Sequence, residues 1–172
     1  MRRGIFIGRF QPFHLGHLEA VKYILSREDE CIIAVGSAQF SHTVENPFTT
    51  GERIETIHRT LKPSGVDMSR CHVIPVPDIG EHKLWVSRVV SFCPAFQTVY
   101  SNNSLVKILF EEWGYRVEGV PFFDRNRLMG TEIRKLMAQS GDWRSRLHPD
   151  AVRYLESIRC EERLAVLLKN DF

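Results

Sequence analysis

A chain of 172 residues is long enough for one domain with a core of its own. Its 43% hydrophobic and 26% charged content is that of an ordinary globular protein and excludes a disordered or fibrous one. A formal charge of +2 is too small for broad capture of nucleic acid or membrane surfaces, so any basic site has to come from local arrangement.

Met1-Arg2-Arg3 leads into Gly4-Ile5-Phe6-Ile7-Gly8, an apolar run too short for a signal peptide. No stretch approaches the ~18 apolar residues of a spanning helix, and a cytoplasmic location is expected. Five short runs read as strands: Gly4 to Gly8, Cys31 to Gly36, Cys71 to Val76, Gln97 to Tyr100 and Arg116 to Val120. Helical spacing recurs between them, in Leu18, Val21, Ile24 and Leu25, then in Ile54, Ile57 and Leu61 behind a Thr49-Thr50-Gly51-Glu52 capping box. Leu105, Ile108 and Leu109 form a third stripe, which Gly114 closes. From about Asp142 the chain reads as helices only, Pro149 to Ile158 and Glu161 to Lys169. Strands alternating with helices predict an α/β fold: a Rossmann-like, doubly wound, parallel five-stranded sheet in a single domain over 1–172, with residues 142–172 as a C-terminal helical cap. Ligands of such folds sit beyond the carboxyl ends of the strands. Cys31, Cys71, Cys93 and Cys160 stand far apart without C-x-x-C pairing, and they read as reduced thiols.

The most informative segment is Gly8-Arg9-Phe10-Gln11-Pro12-Phe13-His14-Leu15-Gly16-His17, between the first strand and the first helix. Gly8 permits a tight departure, Pro12 stiffens the loop, and Gly16 leaves room for a ligand against the backbone. His14 and His17, three apart at a helix start, share one side with unpaired backbone N–H groups, where a partial positive charge attracts anions. Two histidines in one turn can also ligate zinc, but no third or fourth ligand stands at a recognised spacing, so no protein-held metal is expected. Met129-Gly130-Thr131-Glu132-Ile133-Arg134 opens another helix, with Thr131 as a good N-cap residue. Arg134 opposes the helix dipole there, at a cost of ~0.3–1 kcal/mol unless an anion is present.

The first segment matches the G-x-F-x-P-x-H-x-G-H signature of the nucleotidylyltransferase superfamily, and Gly8 to His14 resembles the archaeal-type nicotinamide mononucleotide (NMN) adenylyltransferases. The second motif resembles S-x-T-x-I-R, with Met129 in place of the serine. The resemblance covers about residues 4 to 145. It implies transfer of AMP from ATP to NMN, giving NAD and pyrophosphate. Arg9, His14, His17 and Arg134 would be catalytic. Gly8, Phe10, Gly16 and Thr131 would join them in holding ATP, with Mg²⁺ accompanying the nucleotide. It further implies a homo-oligomer, a hexamer by analogy.

The acceptor is a separate question. Gly36-Ser37-Ala38-Gln39 follows the second strand, Asp78-Ile79 the third, and Trp85 comes soon after. A pyridinium ring stacks on an indole by ~0.5–2 kcal/mol. By resemblance Ser37, Ala38, Gln39, Asp78 and Trp85 form the NMN region. Ser101 and Asn102, closing the fourth strand, read as capping residues and by resemblance as part of the adenosine pocket. Phe122, Phe123 and Asp124 read as packing, with Arg125 and Arg127 as phosphate neighbours. No Ser-His-Asp or Cys-His set suggests a covalent intermediate. Two alternatives stay open: another adenylyl- or cytidylyltransferase with a phosphopantetheine or flavin mononucleotide acceptor, and a non-catalytic nucleotide-binding module.

Overall fold

The computed structural model describes residues 1–121 and 127–169. The chain divides into two compact units, one of residues 1–8, 20–38 and 67–121, the other of residues 9–19, 39–66 and 122–172.

The first unit holds a five-stranded parallel sheet: β1 (Arg3–Gly8), β2 (Glu30–Val35), β3 (Cys71–Pro75), β4 (Thr98–Tyr100) and β5 (Arg116–Glu118), in the order β3-β2-β1-β4-β5. All five predicted strands are present. Cys31 to Val35 are buried without interruption, as a strand covered on both faces requires. The order reverses between β1 and β4, so right-handed crossovers send the connections before and after the reversal to opposite faces. The sheet is therefore doubly wound. This switch point lies between β1 and β4, where open α/β sheets take ligands.

Helices α1 (Leu15–Leu25), α3 (His82–Phe92) and α4 (Ser104–Glu112) follow β1, β3 and β4. Asn103 caps α4, its Oδ1 accepting from the N–H groups of Leu105 and Val106. Gly114 ends the segment at a φ of 82°, as its position predicts. The expected stripe on α4 needs correction: Leu105 and Ile108 are exposed, and Phe110 with Val106 and Leu109 turns toward the core. Phe110 packs among Ile5, Val86, Val89, Phe96 and Val99, a burial that contributes ~1.5–3 kcal/mol.

The second unit is helical: α2 (Thr50–Leu61), α5 (Gly130–Ala138), α6 (Pro149–Ser157) and α7 (Cys160–Lys169). Both halves of the predicted capping box form, Thr49 Oγ1 accepting from Glu52 N and a Glu52 carboxylate oxygen accepting from Thr49 N. Phe48, Ile133, Met137, Trp143, Leu147, Leu155 and Leu164 make its core, and the buried Trp143 indole donates to Glu161 at 2.6 Å. All four cysteines are free thiols. Among the described residues no helix is long and apolar enough to cross a membrane.

Candidate active site

The loop after β1 carries the second unit's first residues. Phe10 lies in the left-handed region at φ 51°, which costs a non-glycine residue ~1–2 kcal/mol, and its buried ring sets an edge against His17 at 5.0 Å. His14 immediately precedes α1, its carbonyl accepting from the N–H groups of His17 and Leu18. The His14 N–H donates to His17 Nδ1 at 3.2 Å, and the two rings stack at 3.6 Å. Because His17 Nδ1 accepts, the neutral ring carries its proton on Nε2, which is thereby a donor. Burial pushes His14 down to about 4. Burial, and then the neighbouring His14, hold His17 well below its usual value. Both are neutral at pH 7. His14 Nδ1 is buried with no hydrogen-bond partner, a state that a native structure tolerates at a cost. The space over Gly16 is filled by this ring: a Cβ there would come within 3.1 Å of it. Gly16 thus makes room for His14, where the sequence suggested room for a ligand.

The start of α5 completes the cluster. Met129 is the N-cap and makes no side-chain capping bond, and Thr131 is the second helical residue, exposed. The expectation of Thr131 as the cap is corrected, because the helix begins one residue before it. With no side-chain cap on this end, the first-turn N–H groups are left as donors to an anion, with Glu132 also in the first turn. Arg134 donates from Nη1 to the Gln11 carbonyl at 2.9 Å and from Nε to the Val44 carbonyl at 3.2 Å. Gly130 permits this approach, since a Cβ would sit 3.2 Å from Arg134 Nη1. Burial and then the like charge of Arg9 lower the Arg134 pKa, against the pull of Glu45. Arg9 reaches Glu45 at 3.9 Å, with both side chains exposed, so that pair contributes little. Two guanidinium groups, two imidazoles and a helix start without a side-chain cap stand within one unit. They supply donors and positive charge to a phosphate chain.

Two buried side chains, Arg53 and Gln11, stand behind this surface. Arg53, only 1% exposed, donates from Nη1 to the Arg9 carbonyl and from Nη2 to Thr50 Oγ1, both at 2.9 Å. The Gln11 amide pairs with both backbone groups of Phe48 at 3.0 Å, as a neighbouring strand would.

In the first unit, Ser37 adopts φ 50° and gives Asp78 two bonds, from its N–H at 3.2 Å and its hydroxyl at 2.6 Å. Ala38 N donates to the Val76 carbonyl, and Gly36 N to that of Gly8. Asp78 and Trp85 line one cavity of about 240 Å³ with Ile79, His82, Asn103 and Leu109. Trp85 sets its ring edge-on to Phe110 at 5.7 Å, which leaves it half-buried. Ser37, Asp78 and Trp85 are thus brought together, whereas Gln39 is an exposed residue of the second unit. Ser101 Oγ accepts from Asn103 N, and the Asn102 amide engages both backbone groups of Val120. Arg127 is exposed, and Phe122, Phe123, Asp124 and Arg125 lie outside the described residues. No group of three or more His, Cys, Asp or Glu among the described residues is arranged to hold a metal ion.

A doubly wound sheet whose first loop presents paired histidines is the framework of a nucleotidyltransferase, and residues 5–136 match the cytidylyltransferase-like family. The described fold is also that of a bifunctional NMN adenylyltransferase/ADP ribose pyrophosphatase from Francisella tularensis, solved with AMP and a manganese ion. That likeness has a TM-score of 0.81 at 22% identity and covers 99% of this chain and 52% of that one, so this chain spans about half its length. Closer in sequence are nicotinamide-nucleotide adenylyltransferases of Methanothrix thermoacetophila, 47% identical over 100% of this chain and 99% of the relative, and Saccharolobus solfataricus, 44% identical over 99% of each. A Pyrococcus horikoshii relative is 46% identical over 99% of this chain and 91% of its own length. The chain belongs to the nicotinamide-nucleotide adenylyltransferase family.

Proposed function

We propose that the protein transfers AMP from ATP to nicotinamide mononucleotide, and that the His14–His17–Arg9–Arg134 surface holds the triphosphate while this happens. The observation that carries the reading is the clustering of neutral imidazoles and mutually repelling guanidinium groups in one unit beside a helix start with no side-chain cap. Such a cluster offers donors and positive charge to a polyanion.

The mononucleotide's 5′-phosphate attacks the α-phosphorus of ATP. One P–O bond forms there as the bond to the β-phosphate bridging oxygen breaks, and pyrophosphate leaves with that electron pair. The attacking phosphate is already ionised at neutral pH, so no general base is required. His17 Nε2–H and the guanidinium groups of Arg9 and Arg134 donate to oxygens whose charge grows in the transition state. Thr131 and the first N–H groups of α5 take the outer phosphates, and His14 seats His17. Gly8, Phe10 and Gly16 shape the loop, and Ser101 and Asn102 border the adenosine. Mg²⁺ would enter with ATP as part of the substrate and neutralise phosphate charge. Ser37, Ala38, Asp78 and Trp85 of the first unit receive the mononucleotide, the indole offering a face to the pyridinium. We place the enzyme in the cytoplasm, where its substrates are made, and as a homo-oligomer. Exposed Leu84, Phe92, Leu105, Ile108 and Trp113 on and beside α3 and α4 are apolar surface that a second copy would cover.

The test is direct. Purified protein with MgATP and NMN is expected to release pyrophosphate and form NAD in equal amounts. Pyrophosphate that appears only with a different acceptor would reassign the substrate, and none with any acceptor would leave a binding module.

A further inference from the structure

The segment Pro47–Thr49 steadies the phosphate-facing loop from behind through Gln11, and this segment is held from the C-terminal helix. Arg163 on α7 grips Glu52 bidentately, Nη1 to Oε2 at 2.6 Å and Nη2 to Oε1 at 2.8 Å, and donates from Nη1 to the Pro47 carbonyl at 3.1 Å. The pair is mostly buried, with side-chain exposures of 20% and 15%. Burial works against the Glu52 carboxylate, but the Arg163 guanidinium and the Thr49 N–H hold it ionised, below its usual range. Glu52 in turn fixes Thr49 through the capping box. The next residue back, Phe48, clasps the Gln11 side chain through both its backbone groups. The Gln11 carbonyl is the acceptor on which Arg134 rests. Arg53, one residue after Glu52, holds the Arg9 carbonyl from the same helix.

We propose that Arg163 is a positioning residue for AMP transfer: through Glu52, Phe48 and Gln11 it sets where Arg134 and Arg9 stand. The inference rests on the phosphate-site reading above. A surface ion pair would be nearly neutral, whereas a bidentate pair that also closes a helix cap fixes a loop with little freedom. A small displacement of a transition-state donor is enough to cost about a hundred-fold in rate.

The test is a double-mutant cycle on the full chain, Arg163→Met and Gln11→Leu singly and together, with Arg163→Lys as a milder variant should the methionine form unfold. The two positions make no contact in the relay except through Phe48–Glu52. Assays run well below each variant's Tm, so that all are fully folded. Each single change is expected to lower kcat by about ten- to a hundred-fold, with KM for NMN within two-fold of wild type. The double variant is expected to be no worse than the poorer single, as links of one chain behave. Arg163→Lys should recover part of the rate. Additive losses, or an Arg163 variant with wild-type kcat when folded, overturn the relay. Wild-type protein without AMP transfer would instead overturn the parent reading.

Discussion

Replacing Arg134 by methionine separates the structural from the functional share of this side chain. In the free protein the guanidinium makes two charge-assisted bonds to carbonyls, of Gln11 and Val44, together worth about 3–6 kcal/mol. Against them stand the burial of its charge and the repulsion from Arg9, both of which lower its pKa. Removing the charge relieves both penalties as it loses both bonds, and methionine keeps the apolar length of the stem. The expected change in Tm is within about 4 °C, given ~2–4 °C per kcal/mol for a chain of this size. Turnover is a different matter. A preorganised donor to a developing oxyanion is worth about 2.7–4 kcal/mol, so kcat should fall by about 10²–10³. Pyrophosphate release, coupled to a pyrophosphatase and read as phosphate, measures it alongside a melting curve of the same sample. A rate within ten-fold of wild type would refute the role, and so would a loss that merely follows unfolding at the assay temperature.

Two further outcomes follow from the same geometry. The unfolded chain protonates its histidines near 6.5, whereas native His14 waits until about 4, so the native state binds fewer protons in between. Stability is then lost as pH falls from 6.5 toward 4, by up to ~1.4 kcal/mol per pH unit for each such histidine, His17 acting in the same sense. Denaturant titrations from pH 7 to 5 should show a shallower slope in His14→Gln, and parallel profiles would contradict the assignment. Trp85→Leu keeps an apolar neighbour for Phe110 but removes the indole face. It is expected to raise KM for NMN by about 2- to 30-fold, the ~0.5–2 kcal/mol of stacking, and to spare KM for ATP. The reverse pattern would move the pyridine elsewhere.

Much of this was legible in the chain itself, because the signals concerned are local. The five strands, the capping box at Thr49 and the stop at Gly114 depend on residues within a few positions of one another. The paired histidines were readable for the same reason. The face of α4 was not: Leu105, Ile108 and Leu109 fit helical spacing, yet Phe110 claims the core and turns Leu105 and Ile108 outward. A period identifies a helix, while the larger aromatic decides which side is buried. The start of α5 was misplaced by two residues, since Thr131 has the right chemistry for a cap that Met129 occupies by backbone geometry alone. The support behind the phosphate loop was invisible. Gln11 meets Phe48 across 37 residues, Arg53 meets Arg9 across 44 and Arg163 meets Glu52 across 111. Nothing local to Arg53 or Arg163 names the acceptors that the fold brings to them.

The measurement that bears most directly on the account is a crystal structure with a non-hydrolysable ATP analogue and Mg²⁺. Phosphate oxygens are expected within about 2.7–3.2 Å of His17 Nε2, the Arg134 guanidinium and the first N–H groups of α5. A triphosphate bound anywhere that leaves those three donors facing solvent would contradict it.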